Sequence, residues 1–300
     1  MAQPKPPFLT RAGQYTANLI LSAPLKLALC LPYRPRVWLM GSMMSRVLAP
    51  LLGYRKRVRD NLDLVWADLP EADKRRLARQ VPENFGRTLV EIYSGAQLKE
   101  HLADTKPEGP GVAALEQAHA EGRPVILVSG HFGNHDAVRA TVSRDFSPVG
   151  ALYRPLDNSY FNEHWEAAIE SVAEPAFARG RRGLAQMVKY LRSGNIIALL
   201  VDQHVSDGAD LTFFGHPART TLSAAEMALK YNALVLPVFG VRQPDGYGFR
   251  AIIQDEIPHG SAEDMAQAMN DALEAMVRQH PEQWFWVHRR WKQRGKKKAG

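Results

Sequence analysis

From residue 124 to 253 the chain alternates between short β-branched runs and stretches spaced like helices, and few folds accommodate that order. The runs fall at 124–129, 148–153, 196–201, 234–241 and 249–253, and amphipathic stretches at roughly 134–145, 159–171, 181–193 and 222–232 lie between or beside them. Parallel neighbours need a crossover of a dozen or more residues, and these intervals are long enough to hold one helix each. The pattern predicts an α/β fold, an αβα sandwich built on a mixed, largely parallel sheet. Upstream, 71–103 and 110–121 read as helical; downstream, Ser261 with Asp264 has the spacing of a capping box and opens a helix running to about 279.

The formal net charge is +7, but the excess sits at the two ends. Residues 1–59 hold ten Lys or Arg and no acid, and after Glu282 there are seven more bases and again no acid. Residues 60–282 carry 21 bases against 31 acids, a net of −10. A basic nucleic-acid-binding core is therefore disfavoured, whereas basic flanks on an acidic body suit an anionic membrane surface. Cys30 is the sole cysteine. No internal disulfide can form, nothing calls for an oxidising compartment, and the working side is expected to be cytoplasmic.

Residues 12–31 are apolar, but Pro24 and Lys26 interrupt them and leave too short a run to cross a hydrocarbon core of about 30 Å. Residues 36–53 place Val37, Met40, Met44, Val47, Leu48, Leu51 and Leu52 at three- and four-residue spacing, with Trp38 and arginines close by. That spacing fits a helix lying in a membrane interface, or one packed on the core. The expected organisation is residues 1–54 as membrane-associated helices and residues 55–300 as a catalytic domain with a basic tail.

The stretch richest in reactive groups is VILVSGHFGNHD, 125–136, a buried strand followed by a glycine-containing turn and a helix. Sites in α/β folds gather at the carboxyl ends of strands, which is where His131 and Asp136 fall. Across such a turn an acid five positions beyond a histidine can reach back to the imidazole Nδ1 proton, leaving the other nitrogen as a base facing the cleft. No serine or cysteine is placed as nucleophile, so a hydroxyl of the substrate would take that role. Three more polar motifs follow strands or close the chain: ALYRPLDN at 151–158, LLVDQHVSDGADLTFFGHPART at 199–220 and PEQWFWVHRRWK at 281–292.

With these motifs and VRDNLDLVWADLPEADKRRLARQ at 58–80, the chain resembles the late acyltransferases of lipid A biosynthesis, the lauroyl and myristoyl transferases of the glycerol-phosphate acyltransferase-like superfamily. The resemblance implies transfer of a fatty acyl chain from acyl carrier protein to a hydroxyl of a Kdo-bearing lipid A precursor, at the cytoplasmic face of the inner membrane. It implies His131 as general base, Asp136 as its orienting partner, Arg154 on anionic substrate groups or the developing oxyanion, and Asp202 as a supporting acid at the substrate. No cofactor or metal is implied. Two departures bear on the acceptor. HFGNHD stands where many members have HFGNWE, and no arginine occurs in 156–178 after the YRP motif. A relative acting on phosphatidylinositol mannosides is the alternative these departures leave open.

Two other classes compete. GNHD at 133–136 and the D-x-H pair Asp202–His204 are pieces of a metallophosphoesterase signature, which would place ions on His131, His135, Asp136, Asp202 and His204. Their order along the chain is inverted for that family. A non-catalytic membrane-bound protein would explain the basic ends, but not polar residues at successive strand ends. His216, His259, His280 and His288 read as surface or structural, and Trp284, Phe285, Trp286 and Trp291 as core or interface anchors.

Overall fold

A computed structural model of the chain describes residues 15, 18, 22, 23 and 25–292. The basic residues at 294–298 lie outside that set, as do nine of the twenty residues of the apolar stretch 12–31. Helices α1 (Tyr33–Met43), α2 (Tyr54–Val65), α3 (Glu71–Ile92) and α4 (Gly95–His101) come first, and β1 (Pro107–Glu108) and α5 (Val112–Ala120) follow. The alternating region gives β2 (Val125–Ser129), α6 (His135–Asp145), β3 (Val149–Tyr153), α7 (Ser159–Val172), β4 (Ala176–Ala178), α8 (Arg181–Arg192) and β5 (Ile196–Leu200). Strands β6 (Ala209–Phe213) and β7 (His216–Thr220) precede α9 (Ser223–Tyr231), β8 (Leu234–Arg242), β9 (Phe249–Ile253) and α10 (Ala262–Gln279).

The central sheet has seven strands in the order β1-β9-β8-β2-β5-β3-β4. Strands β8, β2, β5, β3 and β4 run parallel, and β9 is antiparallel to β8. The period of two along β2 sorts its side chains onto two cores. Ile126 and Val128 pack with Met187, Leu191, Ala225 and Met265 of α8, α9 and α10; Val125 and Leu127 pack with Leu115, Val138 and Val142 of α5 and α6. Helices thus cover both faces, which is why all five residues of β2 are buried and apolar or small.

All five expected strands form, within a residue or two of their expected ends. The helix expected over 71–103 breaks after Ile92, where the Ser94 hydroxyl turns back to the Val90 carbonyl at 2.7 Å. The β6–β7 hairpin was not expected. Its turn residues Phe214 and Gly215 both have positive φ, 54° and 72°, and Phe214 tolerates this while buried against Trp66, Trp286 and Trp291.

The helical stretch expected over 36–53 does not present one interfacial face. Val37, Met40 and Met44 are buried against α3, with Met40 and Met44 so close to Gly86 that a Cβ there would lie 2.5 Å from the Met44 Cβ. Trp38, Leu39, Val47, Leu51 and Leu52 remain exposed. No helix among the described residues is long and apolar enough to cross a membrane.

Candidate active site

The turn after β2 is held from three sides. Gly133 sits at φ +51°, and a Cβ on it would lie 2.1 Å from the Gly240 carbonyl, so only glycine fits without a shift. Its N–H donates to the Gln283 carbonyl at 2.8 Å, while its own carbonyl accepts from the Thr88 hydroxyl at 2.8 Å. Asn134, fully buried, caps α6: its Oδ1 accepts from the N–H of Asp136 and Ala137, and its Nδ2 donates to Glu91 at 2.8 Å. Glu91 in turn pairs with both terminal nitrogens of Arg242, at 2.6 and 2.7 Å. The backbone that carries His131 is therefore anchored to α3, β8 and the C-terminal segment.

His131 finds its partner on the neighbouring strand. Ser129 of β2 aligns with Leu200 of β5, so two residues further His131 and Asp202 stand side by side at the carboxyl ends of adjacent parallel strands. Asp202 Oδ1 accepts from His131 Nδ1 at 2.8 Å, and Oδ2 accepts from the His131 backbone N–H at 2.8 Å and from Trp284 Nε1 at 2.9 Å. Burial alone would raise the Asp202 pKa; the imidazole opposite, with its side-chain and backbone hydrogen bonds, instead holds the carboxyl well below the usual range. For His131 burial pulls the pKa down, but Asp202 outweighs it and leaves the ring above its ordinary 6.5. Fixed by Nδ1–H, the ring offers Nε2 as a base. Nε2 meets Gln203 Nε2 at 3.5 Å, and among the described residues no serine or cysteine side chain bonds to it.

The expected contact between Asp136 and His131 is not made. Asp136 lies in the first turn of α6 and accepts from Arg139 Nε, three residues on, at 2.6 Å. Arg139 also donates to the carbonyls of Ala173 and Ile169, both at 2.8 Å, so the buried pair ties α6 to the end of α7. Burial would raise the Asp136 pKa, and Arg139 with His135 reverses that. The physical reason is the cap: with Asn134 as N-cap, position 136 faces along the helix toward 139 and not back across the turn.

Arg154 follows β3, as expected, but its side chain is 73% exposed and meets Asp157 at 3.7 Å. The structure does not bring it into the buried pair. His135 lies 5.9 Å from His131, ring centre to ring centre, and burial keeps it below the ordinary imidazole range. His288 was read as structural or superficial. Its ring stands edge-on to His131 with centroids 4.6 Å apart, and burial, with His131 facing it, pushes its pKa down to about 4. Trp284, which the sequence offers as a core or interface anchor, is fully buried and also holds Asp202.

The five-residue metal constellation is not assembled, since Asp136 is engaged by Arg139. Among the described residues one group of potential ligands comes together: His131, Asp202 and His288, with ligand atoms within 4.8 Å of one another.

An α/β fold on a mostly parallel sheet, with a histidine held by a buried aspartate and, among the described residues, no serine or cysteine bonded to it, has the parts an enzyme needs to activate a hydroxyl of its substrate. Residues 8–293 match the family described as bacterial lipid A biosynthesis acyltransferase, and the chain belongs to that family. It is 25% identical to the lipid A biosynthesis lauroyltransferase of Escherichia coli K12 over 88% of this chain and 87% of that one. To the palmitoleoyltransferase of the same strain it is 27% identical, over 88% and 87%. A phosphatidylinositol mannoside acyltransferase of Mycobacterium tuberculosis is 21% identical over 80% of this chain and 78% of its own.

Proposed function

We propose that the protein transfers a fatty acyl chain from an acyl carrier protein thioester to a hydroxyl of a lipid A precursor at the cytoplasmic face of the inner membrane, with His131 as base. The observation that carries this reading is the His131–Asp202 pair, whose other ring nitrogen is bonded to no serine or cysteine among the described residues. The acceptor hydroxyl gives its proton to His131 Nε2 as its oxygen bonds to the thioester carbonyl. Asp202 steadies the imidazolium so formed. Collapse of the tetrahedral intermediate breaks the carbon–sulfur bond, and the departing thiolate takes the proton from His131.

Mannoside acyltransferases are also similar to this chain in sequence, but the family match and the greater identity to the lipid A enzymes favour a lipid A acceptor. Attachment to anionic lipid is supported by the exposed apolar residues between Leu27 and Leu52 and by Lys26, Arg34 and Arg46, which are exposed among them. Mass spectrometry of products from acyl carrier protein thioesters and a panel of lipid acceptors tests the reaction. His131→Ala should cost on the order of 100- to 10,000-fold in rate with folding intact. Product at wild-type rate from that variant, or acylation of a mannoside and not of the lipid A precursor, would overturn the assignment.

A further inference from the structure

We propose that His131, Asp202 and His288 form a zinc site, and that zinc bound there silences the enzyme by reversing the tautomer of its base. The inhibition rests on the acyltransferase reading above; the metal site does not. Two imidazoles and a carboxylate are a donor set suited to Zn2+, and their ligand atoms already lie within 4.8 Å of one another. A tetrahedral site needs donors at about 2.0–2.2 Å from the ion, so side-chain rotations of the order of an ångström would close it.

The cluster is pre-set by its surroundings. Asp202 Oδ2 is already oriented by the His131 N–H and by Trp284 Nε1, leaving Oδ1 turned toward the imidazole. His288 is packed between His131 and Phe285, its ring centres 4.6 and 4.9 Å from theirs, and its buried Nε2 has no hydrogen-bond partner among the described residues. A buried polar nitrogen without a partner is uncommon and calls for a cause. A metal ion would satisfy it.

In the active form His131 carries its proton on Nδ1, bonded to Asp202, and keeps the Nε2 lone pair for the substrate. Zinc entering between them takes the Nδ1 lone pair, and the proton moves to Nε2 through solvent. The ring remains neutral and no net proton is released. Nε2 has become an N–H donor, so it cannot accept the proton of the acceptor hydroxyl.

The test is calorimetric titration of zinc chloride into the purified full-length protein, with cobalt as a visible-absorbing probe and acyl transfer assayed separately. One zinc per chain should bind, cobalt should give the intense band of a four-coordinate site, and transfer should fall with zinc and return with EDTA. His288→Phe keeps the ring packing without the nitrogens and should weaken zinc binding at least ~10-fold, and the zinc concentration that halves the variant's own zinc-free transfer rate should rise by the same factor, whatever that rate is; His288→Gln serves if the Phe variant fails to fold. No binding to the wild-type chain at millimolar zinc, or equal affinity in the folded variant, overturns the site. Zinc binding by a chain that never transfers an acyl group would leave the site standing and sink the acyltransferase reading instead.

Discussion

Asp202 is buried and yet accepts three hydrogen bonds, which makes it the residue through which the chemistry of His131 is set. Its folded pKa lies below the ordinary 3.8, so its contribution to stability is present above about pH 4 and is lost as pH falls. That of His131 is raised above 6.5, so its contribution is full below that pH and is lost as pH rises through the raised value. The ion pair therefore stabilises the fold most between these limits, whereas the proposed role of His131 as base needs its neutral form, so activity should rise above pH 6.5. Asp202→Asn removes what holds the His131 pKa up, leaving burial to pull it down. The ascending limb of kcat/KM against pH should move to lower pH while the plateau falls, by roughly 1,000- to 10,000-fold if the tautomer is lost. Asp136→Asn should do something different. It leaves Arg139 buried without its carboxylate, which costs about 3–5 kcal/mol on breaking such a pair, and it should lower the melting temperature without moving the pH limb. A limb that moves with Asp136→Asn and not with Asp202→Asn would return the orienting role to Asp136.

The turn between β2 and α6 depends on Asn134 doing two things at once, capping the helix with its oxygen and feeding Glu91 with its amide. Asn134→Ser keeps a cap oxygen and loses only the second bond. Asn134→Asp keeps a better cap but sets a carboxylate against Glu91, whose partner now sits 2.8 Å away. Caps alone rank Asp at least equal to Ser, so a thermal melt in which Asn134→Asp unfolds below Asn134→Ser would support the network, and the reverse order would refute it. These contacts mark where sequence reading succeeds and where it stops. The strands were legible because a sheet covered on both faces must be continuously apolar, and the position of His131 followed from the strand-to-helix turn. Which acid meets it was not, because Asp136 is five residues away in sequence while Asp202 is 71 residues away and adjacent only through the register of β2 with β5. Trp284 and His288 were passed over for the same reason: nothing local distinguishes a tryptophan that only fills a core from one whose N–H meets a buried carboxylate. The β6–β7 hairpin carries Phe-Gly in its turn and lacks the Asn-Gly signal that usually announces one.

At the scale of the whole molecule the basic ends are less uniform than their charge suggests. Arg36 is buried, donating to Ser94, Gln97 and the carbonyls of Leu29 and Leu31, and Arg290 is buried on Arg219, Thr220 and Asn270, so both act in the fold. Among the described residues, Lys26, Arg34 and Arg46 are exposed beside Leu27, Trp38, Val47, Leu51 and Leu52, and together they make one mixed basic and apolar surface available to a membrane. Each basic residue near an anionic surface contributes about 1 kcal/mol, falling with salt. Each large apolar side chain taken out of water contributes about 1.5–3 kcal/mol and does not. The apolar group should therefore set the salt-resistant part of binding. Val47→Asp, Leu51→Asp and Leu52→Asp combined alter residues that are 51%, 78% and 52% exposed, so the fold should survive. Flotation with vesicles containing phosphatidylglycerol should then show at least a ~10-fold loss of bound protein, most evident at high salt. Leu184→Asp, at a residue 45% exposed on α8, should bind as the unaltered chain does. Equal flotation of the triple variant and the unaltered chain would remove this face from the attachment, and loss of binding in Leu184→Asp alone would move it to α8.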